Sequence, residues 1–293
     1  MSTSIRQIVS LLKLRIGVFI AASAVAGMAA TTGGAAPLWK IAALSLAVLG
    51  ASGAAGAFNH YYERDSDRLM ERTRLRPFAV GAFQPGFIWP LSFFILLAAS
   101  LALAYAAGGG LASLYVFLGA FTYGIVYTVW LKRRSVWNIV VGGLAGSFAV
   151  LAGAAAVDPS PQVAPVILAV VLFLWTPPHF WSLAAAKSDD YARAGVPMLP
   201  VKAPQRAWTL AILSHTLLLS VLALVPAAYG MGTVYTAGAA IGGALFSWRS
   251  IVLWKHPNRA TAMKNFAASL VQLLLLIIAI LLDAATGHST WPF

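Results

Sequence analysis

The chain has 293 residues, of which 60% are hydrophobic and only 10% are charged. A water-soluble domain of this size needs far more polar surface, and apolar runs of about 20 residues, the length that crosses a bilayer as a helix, recur throughout. The sequence has no cysteine, which excludes disulfides, thiolate nucleophiles and thiolate metal sites. A net charge of +12 would suggest nucleic acid for a soluble protein, but membrane proteins gather basic residues in cytoplasmic loops. These properties predict an all-α, polytopic integral membrane protein with no nucleic-acid partner.

In chain order, the apolar runs predict nine transmembrane helices in a single domain of residues 1–293. The first run lacks a small-residue cleavage site and is long enough to be retained as a span. Turn-forming residues such as Gly108-Gly109-Gly110 separate several of the runs. The predicted spans are 9–30, 38–60, 86–107, 110–130, 136–157, 163–185, 206–228, 231–249 and 263–283.

The charged residues alternate between the two sides of these spans. Of the 20 Lys and Arg residues, 19 fall in the N-terminal segment or in every second connection, and Lys40 is the exception. Because cytoplasmic loops are enriched in Lys and Arg, this alternation predicts a cytoplasmic N-terminus. Six of the eight acids also lie in two of these regions, after the second and sixth spans. Acids contribute little to orientation, so their clustering indicates a functional role.

The first acidic region follows the second span. If that helix continues past the membrane boundary, Asn59, Glu63 and Asp67 recur at i, i+4 and i+8 and share one face. Two carboxylates and an amide oxygen form the oxygen-only ligand set that Mg²⁺ prefers. Asp65 lies about 200° around the helix from Glu63 and is expected to point elsewhere.

Arginines flank these acids at intervals of four residues, at positions 64, 68, 72 and 76. Arginine binds oxyanions, so acids for a divalent cation beside arginines suit a diphosphate substrate. The alternative is that the arginines are solvated loop charges that only fix the topology.

The second acidic region lies on the same predicted membrane face. Pro177-Pro178 should break or kink the sixth span, and Asp189-Asp190 follow it. Two acidic sites facing one cavity could hold two Mg²⁺ ions around one diphosphate. His179 is either a ligand of a bound group or a packing residue, and His60 and His215 are weaker candidates.

Together these motifs resemble the intramembrane aromatic prenyltransferase (UbiA-type) superfamily, and specifically its haem O synthase branch. The resemblance covers nearly the whole chain. It includes the spacing Asn59-x-x-x-Glu63-x-x-x-Asp67, then Met70-x-Arg72-Thr73-x-x-Arg76-Pro77, then Thr176-Pro177-Pro178-His179-Phe180-Trp181, and lastly Asp189-Asp190-Tyr191-x-x-Ala194-Gly195-Val196-Pro197. Glu63 stands where the wider superfamily usually has Asp. In the second motif the wider superfamily has spaced aspartates, whereas here Lys187 occupies part of that pattern and Asp189 and Asp190 are adjacent.

The resemblance implies helices around a central cavity and transfer of the farnesyl group of farnesyl diphosphate to a vinyl group of haem B. Water adds in the same reaction, giving haem O and diphosphate with one or two Mg²⁺ ions. It implies a bacterial inner membrane, active-site loops on the cytoplasmic side, and delivery of the product to haem A synthase and terminal oxidase assembly. The implied metal ligands are Asn59, Glu63, Asp67, Asp189 and Asp190. The further catalytic residues are Lys187 and Tyr191, and the further substrate-binding residues are Arg72, Arg76, Lys132 and His179.

Two classes of alternative remain open. A sister prenyltransferase that modifies an aromatic or quinone-precursor acceptor would share the first acidic motif, although the second motif argues against it. A transporter would show inverted repeats and charges near the bilayer midplane. The sequence has no convincing internal repeat, and its acids cluster at one membrane face.

Overall fold

The computed structural model describes residues 3–31 and 36–287, and this part of the chain is helical without strands. The prediction of an all-α protein is therefore confirmed. The helices are α1 (Thr3–Leu11), α2 (Leu14–Ala29), α3 (Leu38–Tyr62), α4 (Arg64–Asp67), α5 (Ile88–Phe121), a π-helix (Thr122–Leu131), α6 (Asn138–Gly142), α7 (Leu144–Val157), α8 (Val163–Ala186), α9 (Ser188–Arg193), α10 (Leu199–Lys202), α11 (Gln205–Leu222), a 3₁₀-helix (Val225–Tyr229), α12 (Thr233–Lys255) and α13 (Arg259–Ala285).

Among the described residues, seven helices are long and apolar enough to cross a membrane, and α2 is a shorter apolar helix. One of the seven, Ile88–Leu131, reverses direction at Gly109, whose φ of +76° lies in the left-handed region. Ser113 Oγ lies 2.9 Å from the Leu101 carbonyl oxygen, although twelve residues of straight helix would span about 18 Å. The predicted turn between the third and fourth spans is thus confirmed. The count of nine spans and the orientation of the N-terminus stay predictions.

The predicted first span, 9–30, is not one continuous helix. Lys13 has a φ of +50° and separates α1 from α2. This conformation is uncommon for a residue with a side chain, and here it turns the lysine amine inward against α3.

Small residues let the helices approach one another closely. A Cβ atom on Gly27 would lie 2.0 Å from the Val150 carbonyl oxygen, and one on Gly153 would lie 1.8 Å from that of Ala24. The two glycines thus make a reciprocal contact between α2 and α7, as is common for helix pairs in membranes. Large apolar side chains such as Phe94, Val221 and Ile241 instead cover the outside, where lipid is expected.

Pro177 and Pro178 are predicted to break or kink the span; α8 runs through both as one helix, so the break is absent, and the kink stays a prediction. Proline removes a backbone donor and normally distorts a helix interior. Here the segment is buried and hydrogen-bonded to α13. The Ser182 hydroxyl, on α8 itself, donates to the Pro178 carbonyl, and Asn265 on α13 donates to Ser182. Packing against α13 therefore overrides the local preference.

Candidate active site

One cavity of about 230 Å³ is lined by several of the candidate site residues that the sequence singles out. Its polar end is formed by Lys13, Asn59, Asp67, Arg72, Arg76, Lys132 and Tyr191. Its remaining wall is mainly small and apolar, contributed by residues of α3, α5 and α7 that include Ala51, Ala55, Gly119, Ala145 and Ala149. An anionic head group and an apolar chain could therefore occupy it together.

Asn59, Glu63 and Asp67 come together, but not on a continuous helix. The α3 helix ends at Tyr62, and α4 begins after Glu63. Backbone hydrogen bonds from Glu63 N to Asn59 O (3.0 Å) and from Asp67 N to Glu63 O (2.8 Å) preserve the four-residue spacing across this junction. All three side chains are buried, whereas Asp65 is exposed, as its position on the helix predicts.

Each of the two buried carboxylates is paired with a base from another segment. Lys132 forms a short ion pair with Glu63, which also accepts a hydrogen bond from Asn59 Nδ2 at 2.7 Å. Arg76 Nη1 lies 3.0 and 2.8 Å from the two oxygens of Asp67. Burial opposes ionisation of both acids, so these partners decide how readily each carboxyl group ionises.

The pKa values of the two acids shift in opposite directions. Burial of Glu63 favours its neutral form, but the charge and hydrogen bond of Lys132, together with Asn59, outweigh burial and lower the pKa of Glu63. Burial dominates at Asp67 and raises its pKa, although Arg76 opposes the shift. Burial likewise lowers the pKa of Lys132 against the effect of Glu63. The Glu63–Lys132 pair is therefore the more firmly ionised of the two.

The π-helix accounts for the position of Lys132. An α-helix turns about 100° per residue, so Lys132 would lie about half a turn away from Tyr123, nine residues earlier. With i→i−5 bonding and about 4.4 residues per turn, nine residues instead complete about two turns. The Lys132 N–H bonds the Tyr127 carbonyl at 2.9 Å in this way. Tyr123, Tyr127 and Lys132 consequently all line the cavity.

Lys13 is a cavity residue that the sequence treated only as a topological charge. Its amine donates to Asn59 Oδ1 at 2.7 Å and to the Tyr123 hydroxyl at 2.8 Å. Because 46 residues separate Lys13 from Asn59, no local spacing could have linked them. The sequence signal is a pair of bases, Lys13 and Arg15, near the start of an apolar segment.

The second acidic motif contributes less to the cavity than the sequence suggested. Tyr191 lines the cavity and accepts a hydrogen bond from Arg72. Asp190 is buried but forms a short ion pair with Arg193 on its own helix, Asp189 is exposed, and neither acid lines the cavity. Lys187, at the end of α8, also lies outside the lining. In the described residues, no group of three or more His, Asp or Glu side chains is arranged to hold a metal ion.

His179 also lies outside the cavity lining. Its ring stacks between Trp175 and Phe266, with centroid distances of 4.2 and 4.5 Å, and Nδ1 lies 2.7 Å from Ser269 Oγ. His179 therefore packs between aromatic rings, and its Nδ1 has a hydrogen-bond partner. Binding of haem by His179 stays a prediction.

The residues at the first motif fit a hard divalent cation. Asn59, Glu63 and Asp67 offer only oxygen ligands, and two of these side chains face the cavity directly. Glu63 lies just behind them, bonded to Asn59 and Lys132. The ligand chemistry therefore matches Mg²⁺, with bases close by to contact phosphate oxygens.

Comparisons with known proteins agree with this arrangement. Residues 20–281 match the UbiA prenyltransferase family. Protoheme IX farnesyltransferase 2 of Paramagnetospirillum magneticum is 53% identical over 97% of this chain and 98% of its own length. A digeranylgeranylglyceryl phosphate synthase structure matches with a TM-score of 0.79 at 18% identity, covering 97% of this chain and 100% of that one. A UbiA homolog from Archaeoglobus fulgidus bound to GPP and Mg²⁺ matches with a TM-score of 0.70 at 16% identity, covering 94% and 99%. The chain therefore belongs to the UbiA prenyltransferase family.

Proposed function

We propose that this protein transfers the farnesyl group of farnesyl diphosphate to a vinyl group of haem B, with addition of water, giving haem O and diphosphate. A relative named protoheme IX farnesyltransferase, 53% identical over nearly the full length of both chains, supports this acceptor over an aromatic or quinone-precursor ring. The observation that carries the proposal is the single cavity that joins buried acids and bases to a small-residue apolar wall.

The size of the cavity bears on how the substrates bind. Typical small-molecule sites have volumes of about 300–1,000 Å³, whereas this cavity has about 230 Å³. This volume lies below the range for a single ligand, whereas the reaction joins two. We expect the diphosphate and the adjoining part of the prenyl chain to occupy the cavity, and the porphyrin to remain partly in the membrane.

In this proposal Asn59, Glu63 and Asp67 hold Mg²⁺, and the GPP- and Mg²⁺-bound structure of the Archaeoglobus fulgidus homolog supports a divalent cation. When bound there, Mg²⁺ would neutralise charge that develops on the leaving diphosphate. The bases of the cavity bind the same leaving group. Lys132 and Arg76 now pair with Glu63 and Asp67, so an arriving diphosphate competes with the carboxylates for these bases.

The bond changes follow from this placement. The bond between the first farnesyl carbon and the diphosphate oxygen breaks, and its electron pair leaves with the diphosphate. Lys13, Arg72, Arg76 and Lys132 stabilise that charge as preorganised donors. The vinyl π electrons then bond to the allylic carbon, which leaves a cation beside the porphyrin ring. A water oxygen bonds to that carbon and releases its proton, while the apolar wall keeps water away from the allylic cation.

The remaining elements of the proposal concern location and other ligands. We place the enzyme in the bacterial inner membrane with the charged end of the cavity on the cytoplasmic side, as the alternation of Lys and Arg predicts. Its product would pass to haem A synthase and terminal oxidase assembly. A second Mg²⁺ at Asp189 and Asp190 and a substrate role for Lys187 require those side chains to move toward the cavity.

The direct test uses purified protein in detergent with haem B, farnesyl diphosphate and Mg²⁺, and mass analysis of the extracted haem. A gain of one farnesyl group and one hydroxyl group that disappears with EDTA supports the proposal. If folded protein leaves haem B unchanged but prenylates an aromatic acceptor, the sister activity is correct instead.

A matched pair of variants then tests the acidic site. Asp67→Asn should reduce turnover by at least about a hundredfold, because it removes a charged group that would act on the reacting diphosphate. Asp65→Asn on the same short helix changes an exposed acid, whose side chain is 76% accessible, and should leave turnover within about twofold of the original. Similar turnover in the two variants would refute the assignment of the site.

A further inference from the structure

Thr128 is a buried residue of the π-helix that no motif singled out. Its hydroxyl donates to the Tyr123 carbonyl at 2.8 Å, which commits the hydroxyl hydrogen. The remaining lone pair accepts a hydrogen bond from Asn59 Nδ2 at 3.1 Å. Thr128 therefore acts toward Asn59 only as an acceptor.

The neighbours of Asn59 fix which way its amide points. Nδ2 faces two acceptors, Thr128 Oγ1 and Glu63 Oε2, and Oδ1 faces the ammonium group of Lys13. A flipped amide would place its NH₂ against the Lys13 donors and its oxygen against the Glu63 carboxylate. The observed orientation turns Oδ1 toward the bases of the cavity.

Two of these three restraints are lost when the site is loaded as proposed above. Glu63 becomes a cation ligand, and the amine of Lys13 is free to move to the diphosphate. Thr128 is neither charged nor a candidate ligand, so its lone pair remains available to Asn59 Nδ2. A buried amide N–H that lost this acceptor would carry an unsatisfied donor.

We propose that Thr128 is a positioning residue that keeps the Asn59 amide oxygen directed at the bound cation. This inference rests on the proposed function, since it takes Asn59 as a cation ligand. The π-helix makes the contact possible, because i→i−5 winding places Tyr123, Thr128 and Lys132 on the side that faces α3.

The test compares three variants in detergent. Thr128→Val keeps the shape but removes the acceptor, and Thr128→Ser restores the acceptor. Thr216→Val is the matched control: Thr216 is also buried, donates to the Ile212 carbonyl of its own helix at 2.8 Å, and accepts a hydrogen bond from Ser250 at 3.1 Å. It lies on α11 and does not line the cavity.

Two readouts are used. The first is the Mg²⁺ concentration that half-maximally raises the thermal unfolding midpoint in the presence of inorganic diphosphate. The second is the Mg²⁺ concentration for half-maximal farnesyl transfer. Thr128→Val should raise both about tenfold, equal to about 1.4 kcal/mol, whereas Thr128→Ser and Thr216→Val should stay within about twofold of the original. If Thr128→Val does not insert, Thr128→Ala is compared with Thr128→Ser in its place.

The outcomes separate this inference from the proposed function. An unchanged Mg²⁺ requirement in Thr128→Val, an equal rise in Thr216→Val, or the absence of any Mg²⁺ response in the original protein overturns the role of Thr128. A protein that shows the expected Mg²⁺ shifts in the unfolding assay but transfers no farnesyl group supports Thr128 and refutes the proposed reaction.

Discussion

The ion pair between Glu63 and Lys132 permits a quantitative test of how the charges are held. Its side chains are 3% and 15% exposed, respectively, so neither is well solvated. Lys132→Met would leave the Glu63 carboxylate with only the Asn59 N–H as a partner. Removing one member of a buried pair costs about 3–5 kcal/mol. Because the bond from Asn59 remains, we expect a loss near the lower limit, about 3 kcal/mol.

Replacing both residues distinguishes the stability that the ion pair contributes from the cost of leaving one buried charge without its partner. Glu63→Met/Lys132→Met should recover most of that stability, since substituting apolar residues for a whole buried pair is often neutral or stabilising. The partly exposed Arg64 and the exposed Asp65, 3.9 Å apart, form the control pair, and Arg64→Met, which also removes a hydrogen bond to the Tyr61 carbonyl, should cost about 1 kcal/mol.

The measurement is the free energy of unfolding in mixed micelles, followed by tryptophan fluorescence for the three variants and the original protein. All variants that lack Glu63 or Lys132 should also be inactive, which separates stability from function. The reasoning is refuted if Lys132→Met costs no more than Arg64→Met, or if the double variant is as unstable as Lys132→Met alone.

Two further predictions concern helix packing and pH. Gly153→Ala would place a Cβ atom against a backbone carbonyl of α2 and should destabilise the protein by about 1–3 kcal/mol. Gly110→Ala is the control: its Cβ atom would have no heavy atom closer than 3.9 Å, so it should cost less than about 1 kcal/mol. The free energy of unfolding in mixed micelles measures both effects. Arg76→Gln should move the acid limb of the pH–activity profile to higher pH. Burial raises the pKa of Asp67 and Arg76 opposes that rise, so without Arg76 the Asp67 carboxyl group would ionise only at a higher pH. An unmoved limb would exclude Asp67 as the titrating group.

Much of the fold follows from the sequence because lipid demands long, continuous apolar helices. The reversal at Gly109 was predictable, since three consecutive glycines interrupt an apolar run. The continuity of α8 was not, because the hydrogen bonds that hold α8 on either side of the two prolines come from α13, more than 80 residues later. Local propensity indicated a break or a kink, and packing against α13 keeps the helix unbroken.

The acidic site was predictable only in part. The four-residue spacing of Asn59, Glu63 and Asp67 survives the end of α3, because i→i−4 backbone bonds continue across the junction. Lys13 was missed because its inward direction depends on a left-handed backbone conformation that its sequence neighbours do not signal. Thr128 was missed because α-helical periodicity turns it away from the face on which the π-helix places it.

The charges of the cavity bear on the order in which ligands arrive. Four bases line its polar end, namely Lys13, Arg72, Arg76 and Lys132, whereas Asp67 is the acid of the described lining and Glu63 lies just behind it. A free divalent cation would therefore enter a region that already carries excess positive charge at low dielectric, where repulsion is strong. A diphosphate carries more negative charge than one divalent cation neutralises, so their complex is attracted where the cation alone is repelled. The arrangement favours arrival of Mg²⁺ together with the prenyl diphosphate, which would then release the carboxylates from Lys132 and Arg76 for the ligand role proposed above.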